Sequence, residues 1–432
     1  MAHHPTTDDL ACPEYRALSR RAFLRQTSAA AAALSVPAWL PKVSYAQSYA
    51  SARDVIVCVF LRGGMDGLSV VVPYGETEYY RVRPTIAVPQ PDSTSANRAL
   101  DLNGFFGFPP AMAALLPAYR AGHLLAIQAT GSIDPSRSHF DAQHYMEIGV
   151  PGQSALVTGW LGRHLATRAP EKPAAPLRAL SFSFGLTETL GGAPLALPIP
   201  DPANFGLSGN SASRTQRLSW LATAFDREVD PLRSSALNTQ RTISLLSTLG
   251  INSYAPAGNA VYPNTSFARA LRSTAALIRA DIGVEAVQID LSGWDTHSAQ
   301  GPLTGSMATT MRTLAEGLAA FHADMDGASQ LNRITVVVIS EFGRNVRENG
   351  SQGTDHGRGN CMFVLGGAVA GGQVLTNWPG LQRLQDNQDL IVTIDHRDIL
   401  AEIVSKRLGN QALDVVFPDL QPVFRGAIRY AY

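Results

Sequence analysis

Six consecutive β-branched residues, Ile334-Thr335-Val336-Val337-Val338-Ile339, constrain this chain more than any other stretch. Such side chains favour extended backbone. A run of them with no polar alternation fits a strand buried on both faces, as in the middle of a parallel sheet covered by helices. The run passes into Ser340-Glu341-Phe342-Gly343-Arg344 and, after a polar loop, Gly353-Thr354-Asp355-His356-Gly357. Two further apolar runs repeat the pattern: Asp54 to Leu61 leads into Arg62-Gly63-Gly64-Met65-Asp66-Gly67-Leu68-Ser69, and Glu285 to Leu291 into Gly293-Trp294-Asp295-Thr296-His297. Ligands of open α/β sheets bind beyond the carboxyl ends of the strands, which in parallel strands share one rim. Asp66, Asp295, His297, Glu341, Asp355 and His356 can therefore converge although far apart in sequence. Asp, Glu and His are the donors of hydrolytic metal sites, so a divalent metal is expected, zinc first, with manganese, magnesium or calcium also compatible.

Helical stretches alternate with these strands. The spacing predicts helices around Ala111 to Tyr119, Thr265 to Ala280, Met307 to Met325 and Arg397 to Lys406, with shorter strands at His123 to Gln128 and Met362 to Leu365. The fold class expected is α/β, a doubly wound and mostly parallel central sheet with helices on both faces. Residues from about 150 to 265 carry Pro/Ala/Gly linkers and amphipathic helices from about Arg214 to Leu249, with no metal-type cluster; they are expected to form a cap or insertion that shapes specificity. At 432 residues and 45% hydrophobic the chain can bury a large core.

The first residues read as targeting. Ser19-Arg20-Arg21-Ala22-Phe23-Leu24-Arg25 precedes an Ala-rich apolar stretch, Ala29 to Trp39, and Ser44-Tyr45-Ala46 offers small residues for cleavage. This pattern is similar to a twin-arginine export signal over residues 1–47, leaving a domain over 48–432. It implies the twin-arginine export machinery as a partner and a periplasmic or secreted location. No second apolar stretch is long enough for a membrane anchor. Basic and acidic residues balance at 35 each, so no net field favours nucleic acid. Of the three cysteines, Cys12 lies in the signal, while Cys58 and Cys361 sit in apolar runs and are expected to be buried free thiols rather than a bridge.

Ser138 stands at an expected helix start in Ser132 to Glu147. A hydroxyl there faces unpaired backbone N–H groups and the positive helix end, which favours a developing alkoxide. The same Ser with Asp141 three residues on also reads as a helix cap.

Together, the signal, Phe60-Leu61-Arg62-Gly63-Gly64-Met65-Asp66-Gly67, Ser138-His139-Phe140, Gly293 to His297, Ser340 to Arg344 and Thr354-Asp355-His356-Gly357 resemble the secreted bacterial family called domain of unknown function 1501. That family is grouped with the alkaline phosphatase and sulfatase superfamily. The resemblance implies a serine nucleophile at Ser138, with Ser69 in reserve, a first-strand ligand at Asp66, and a ligand pair at Asp295 and His297. Two alignments remain for the rest. Either Asp355-His356 is the pair following the central strand, with His396 as a late ligand, or Glu341 holds that place and His356 is the late His; the second is preferred. Arg344 or Arg137 would clamp the ester oxygens. The implied activity is hydrolysis of a phosphate or sulfate ester, on a small molecule or a glycan. The alternative is a non-catalytic relative serving as a binding or assembly module for a co-exported envelope partner.

Overall fold

The computed structural model describes residues 53–430; the expected export signal lies outside them. The chain runs β1 (Val55–Arg62), a two-stranded ribbon of β2 (Leu100–Asp101) and β3 (Gly107–Phe108), then β4 (Leu124–Gly131), α1 (His139–Ile148) and α2 (Trp160–Ala166). Next come β5 (Ala179–Ser181), β6 (Ala196–Pro198), helices α3 (Arg214–Phe225), α4 (Leu232–Thr248) and α5 (Ser266–Arg279), and β7 (Ala286–Ser292). Helix α6 (Ser306–Gly327), β8 (Ile334–Ser340), β9 (Asn360–Leu365), β10 (Gln373–Leu375), β11 (Ile394–Asp395) and α7 (His396–Lys406) follow.

The central sheet has the order β10-β4-β9-β8-β1-β7-β5-β6, with β11 also paired to β4. Only β9 runs antiparallel to its neighbours, β8 and β4. β1 lies between β7 and β8, and its register sets Arg62 opposite Ser292 and Leu61 opposite Ser340. Three carboxyl ends are thereby level.

Period-two alternation explains why β1 and β8 show no polar face. Val55, Val57, Val59 and Leu61 pack with α5 and α6 through Phe267, Leu271, Met311, Leu314 and Leu318. Ile56, Cys58 and Phe60 pack on the opposite face with Trp160, Leu161, Ile399 and Ile403 of α2 and α7. Helices cover both sides, and the fold is doubly wound α/β. Each fully buried aliphatic or Phe side chain contributes about 1.5–3 kcal/mol of transfer free energy, so the central strands anchor the molecule. The same alternation separates the thiols: Cys58 faces one layer and Cys361 the other, and both are free.

The stretch from about 150 to 265 does not stand wholly apart from the sheet. β5 pairs with β7, β6 extends it, and Trp160 of α2 is in the core. Ala179-Leu180-Ser181 is too short to show a period, so these strands are hidden in the sequence. Helices α3 and α4 are largely exposed; α3 buries Ala222, and α4 buries Thr242, Ile243 and Leu246. Among the described residues no helix is long and apolar enough to cross a membrane.

His164 in α2 gives the fold an acid limit. It is buried, and its Nδ1 accepts from Asn410 Nδ2 at 3.1 Å. Burial, with Arg178, Arg53 and Arg168 adding repulsion, holds its pKa at about 3 against an ordinary 6.5. Between these values the unfolded chain binds the extra proton, so stability falls as pH drops below about 6.5, by up to about 1.4 kcal/mol per pH unit. His164→Gln should flatten that slope; chemical denaturation midpoints at about pH 7 and about pH 5, compared between the two proteins, would measure it.

Candidate metal centre

Four strand ends, not three, supply the rim. Because β4 and β8 both run antiparallel to β9, which lies between them, they are parallel to each other, and β4 ends on the same rim as β8 and β1. Residues 132–138 then lead into α1, whose first residue is His139. The end of β4 is disguised by a register shift between Gln128 and Thr130, with Ala129 at φ 59°.

His139, Asp295, His297 and His356 meet at this rim. Asp295 Oδ1 lies 3.0 Å from His297 Nε2 and 3.2 Å from His356 Nε2, and the two nitrogens are 2.9 Å apart. His139 Nε2 is 3.5 Å from Asp295 Oδ2. Close backbone approach makes this possible. Gly63, at φ +122°, lies where a Cβ would fall 2.6 Å from Asp295 N, and a Cβ on Gly353 would fall 2.3 Å from the His297 carbonyl. Phe342 walls the site, its ring 5.0 Å from that of His139 and 4.8 Å from that of His356.

The other nitrogen of each ring is committed. His139 Nδ1 bonds Glu341 Oε1 at 2.9 Å, His297 Nδ1 bonds Asp355 Oδ1 at 2.8 Å, and His356 Nδ1 bonds the Arg137 carbonyl at 2.8 Å. A carboxylate or carbonyl oxygen can only accept, so each ring carries its proton on Nδ1 and turns the Nε2 lone pair inward. Both carboxyls are held ionised. Burial pushes Glu341 up, but hydrogen bonds from His139 and Gln143 bring it below the usual range, and the His297 bond lowers Asp355. Asp295 sits at about 2: the Arg344 hydrogen bond and charge outweigh its partial burial.

Oδ1 and the two Nε2 atoms are thus three acceptors within 3.2 Å of one another. One shared proton satisfies one such edge, not all three. Metal bonds of ~2.0–2.1 Å put neighbouring ligand atoms about 2.9–3.4 Å apart, which these edges match. His139 Nε2, buried and without a hydrogen-bond partner, forms a metal-type group with Asp295 and His356, their ligand atoms all within 4.8 Å of one another. The Glu341 bond raises the basicity of His139, as carboxylates behind metal-bound imidazoles do. The residues present fit a divalent metal.

Several expected residues lie elsewhere or serve otherwise. Asp66 does not join the cluster: it is buried, held by Arg83 at 2.5 and 2.9 Å, Ser69 Oγ at 2.6 Å and Gln300 Nε2 at 2.7 Å. Ser69 is buried within that network and is no reserve nucleophile. Glu341 and Asp355 stand behind His139 and His297. Arg344, buried, donates to the carbonyls of Gly63, Gly64, Trp294 and Thr354 and to Asp295 Oδ1 at 2.6 Å, and its Nη1 lies 3.5 Å from His297 Nε2, leaving no fork for an ester. Arg137 is bound to Asp389 and Asp386; its carbonyl, not its guanidinium, serves the site by orienting His356. His396 is buried beside Gly131, its Nδ1 on that carbonyl at 3.1 Å, outside the cluster. Ser138 is the N-cap of α1, exposed, with Oγ accepting weakly from Asp141 N at 3.5 Å. The missed residue is His139, for which the adjoining cap was the available signal.

Fold and site define an α/β protein with a histidine-rich, metal-type centre on the carboxyl rim of its sheet. The chain belongs to the family described as "Protein of unknown function (DUF1501)", whose model matches residues 53–403. No curated protein matches it. Among solved structures it is similar to Ps i-CgsB in complex with k-i-k-neocarrahexaose, at 8% identity over 84% of this chain and 74% of that one, TM-score 0.37. It is similar also to BT1596, a 2-O GAG sulfatase, at 7% identity over 82% and 71%, TM-score 0.30. A third similarity is to the alkaline phosphatase of the Antarctic bacterium TAB5, at 10% identity over 73% and 92%, TM-score 0.27.

Proposed function

We propose that this chain is a metal-dependent hydrolase of phosphate or sulfate esters, exported by the twin-arginine route. The observation that carries the metal is the convergence of three Nε2 lone pairs on Asp295, each ring fixed by an acceptor at Nδ1. His139, Asp295, His297 and His356 would hold one ion. Three imidazoles and a carboxylate suit zinc or manganese; magnesium and calcium, which prefer oxygen donors, fit less well. Bound there, such an ion supplies Lewis-acid charge against ester oxygens and acidifies a nearby hydroxyl.

The remaining work belongs to the chain. Asp295 and His297 are about half exposed, so an ester can reach the cluster. Ser138 Oγ, exposed beside His139, is the hydroxyl available for attack. It would bond to phosphorus or sulfur as the ester oxygen leaves with the proton as an alcohol, and water would later release the phosphate or sulfate. Ser138→Ala should cost about 1 kcal/mol of stability as a lost cap, keep full metal content, and lose turnover of aryl phosphate and aryl sulfate probes. Unchanged turnover would remove Ser138 from the reaction. A second reading, the non-catalytic module, is favoured by one observation: Arg344 and Arg137 are both committed to carboxylates. Metal-replete protein inert towards both ester classes would support it.

A further inference from the structure

We infer that Gln143 is a positioning residue of the metal centre, acting through Glu341 on His139; the inference rests on the metal reading above. Gln143 lies one turn beyond His139 on α1, so both side chains share a helix face. Its Nε2 donates to Glu341 Oε1 at 2.9 Å, the oxygen that also takes His139 Nδ1 at 2.9 Å and Gly63 N at 2.8 Å. Ser340 Oγ holds the other oxygen at 3.0 Å. The Glu341 side chain is wholly buried, so water cannot replace these donors, which with its own backbone N–H fix its orientation.

The amide of Gln143 is itself oriented. Its Oε1 accepts from Arg62 Nη1 at 3.2 Å, so Nε2 is the end that faces Glu341. Arg62 is held in turn by Asp290, its Nε 2.9 Å from Oδ2, and by Glu147. An unbroken chain of hydrogen bonds therefore runs from the ends of β1 and β7 through Arg62, Gln143 and Glu341 to His139. Without the amide, Glu341 Oε1 keeps a backbone donor and the imidazole it is meant to steer, and the ring loses its fixed reference. Outer hydrogen-bond partners of this kind typically change metal affinity by about 10–100-fold.

The test uses the full protein, stripped of metal and titrated with zinc against a chromophoric chelator and with cobalt(II) read by its visible absorption. Gln143→Leu should weaken zinc binding by about 10–100-fold and alter the cobalt spectrum, while the metal-free protein still folds and melts cooperatively, at a temperature lowered only by the lost hydrogen bonds. His144→Ala, whose imidazole instead bonds Glu188 and the Gln153 carbonyl, should match wild type. Gln143→Met serves the same measurement should leucine unsettle the helix. Wild-type affinity and spectrum in the Gln143 variants would overturn the positioning role. If wild type itself takes up neither ion, the metal reading fails and the inference falls with it.

Discussion

Asp66→Ala is expected to destabilise the protein by about 3–5 kcal/mol without removing a metal ligand. Asp66 and Arg83 are both fully buried, and their side chains bond at two points. Removing the carboxylate leaves a guanidinium stranded in the interior, its remaining partners being Ser69 and the carbonyls of Asn345 and Val346. The loss spreads further because Gln300 spans Asp66, at 2.7 Å, and Thr354, at 2.6 Å, joining the β1 loop to the loops of His297 and His356. Denaturant titration would measure it. Asp66→Ala with Arg83→Met should recover much of the loss, since replacing both members of a buried pair with apolar groups is often close to neutral. A single variant as stable as wild type would show that the pair does not brace the rim.

His139→Ala is expected to reduce bound zinc from about one equivalent to background while the protein stays folded, and Asp355→Asn to weaken it by only about 10–100-fold. The contrast follows from position: His139 offers an inward Nε2, whereas Asp355 bonds the outward Nδ1 of His297. One equivalent is expected, not two, because Asp66 is spent on Arg83. Elemental analysis of protein prepared without chelator decides both points. A second equivalent lost in Asp66→Ala, or full zinc in His139→Ala, would overturn this assignment.

The strands β1, β7 and β8 are legible because burial on both faces removes polar alternation, and the level of their ends follows from parallel pairing. Carboxylates and histidines at those ends are visible in the sequence, but their order around an ion is not. Whether Glu341 binds a metal or orients His139 depends on a helix contributed by β4, whose polar last residues hide that the strand continues to Gly131. Asp66 fails for a similar reason: its partner Arg83 lies in a loop whose composition gives no sign of turning inward. Short strands such as β5 and β6 leave too few residues for any period.

The margins of the central sheet bear on how destabilised variants would behave. It ends at β6 on one side and at β10 and β11, both paired with β4, on the other; β10 and β6 are only three residues long and β11 two, and β6 closes with Pro198, which has no N–H to donate. A neighbouring molecule adding a strand at either margin would find few free backbone groups to pair with, while the long apolar strands are enclosed between them. Self-association through the native edges is thereby blunted, and loss of the Asp66 brace should expose the chain to aggregation only once the sheet itself opens.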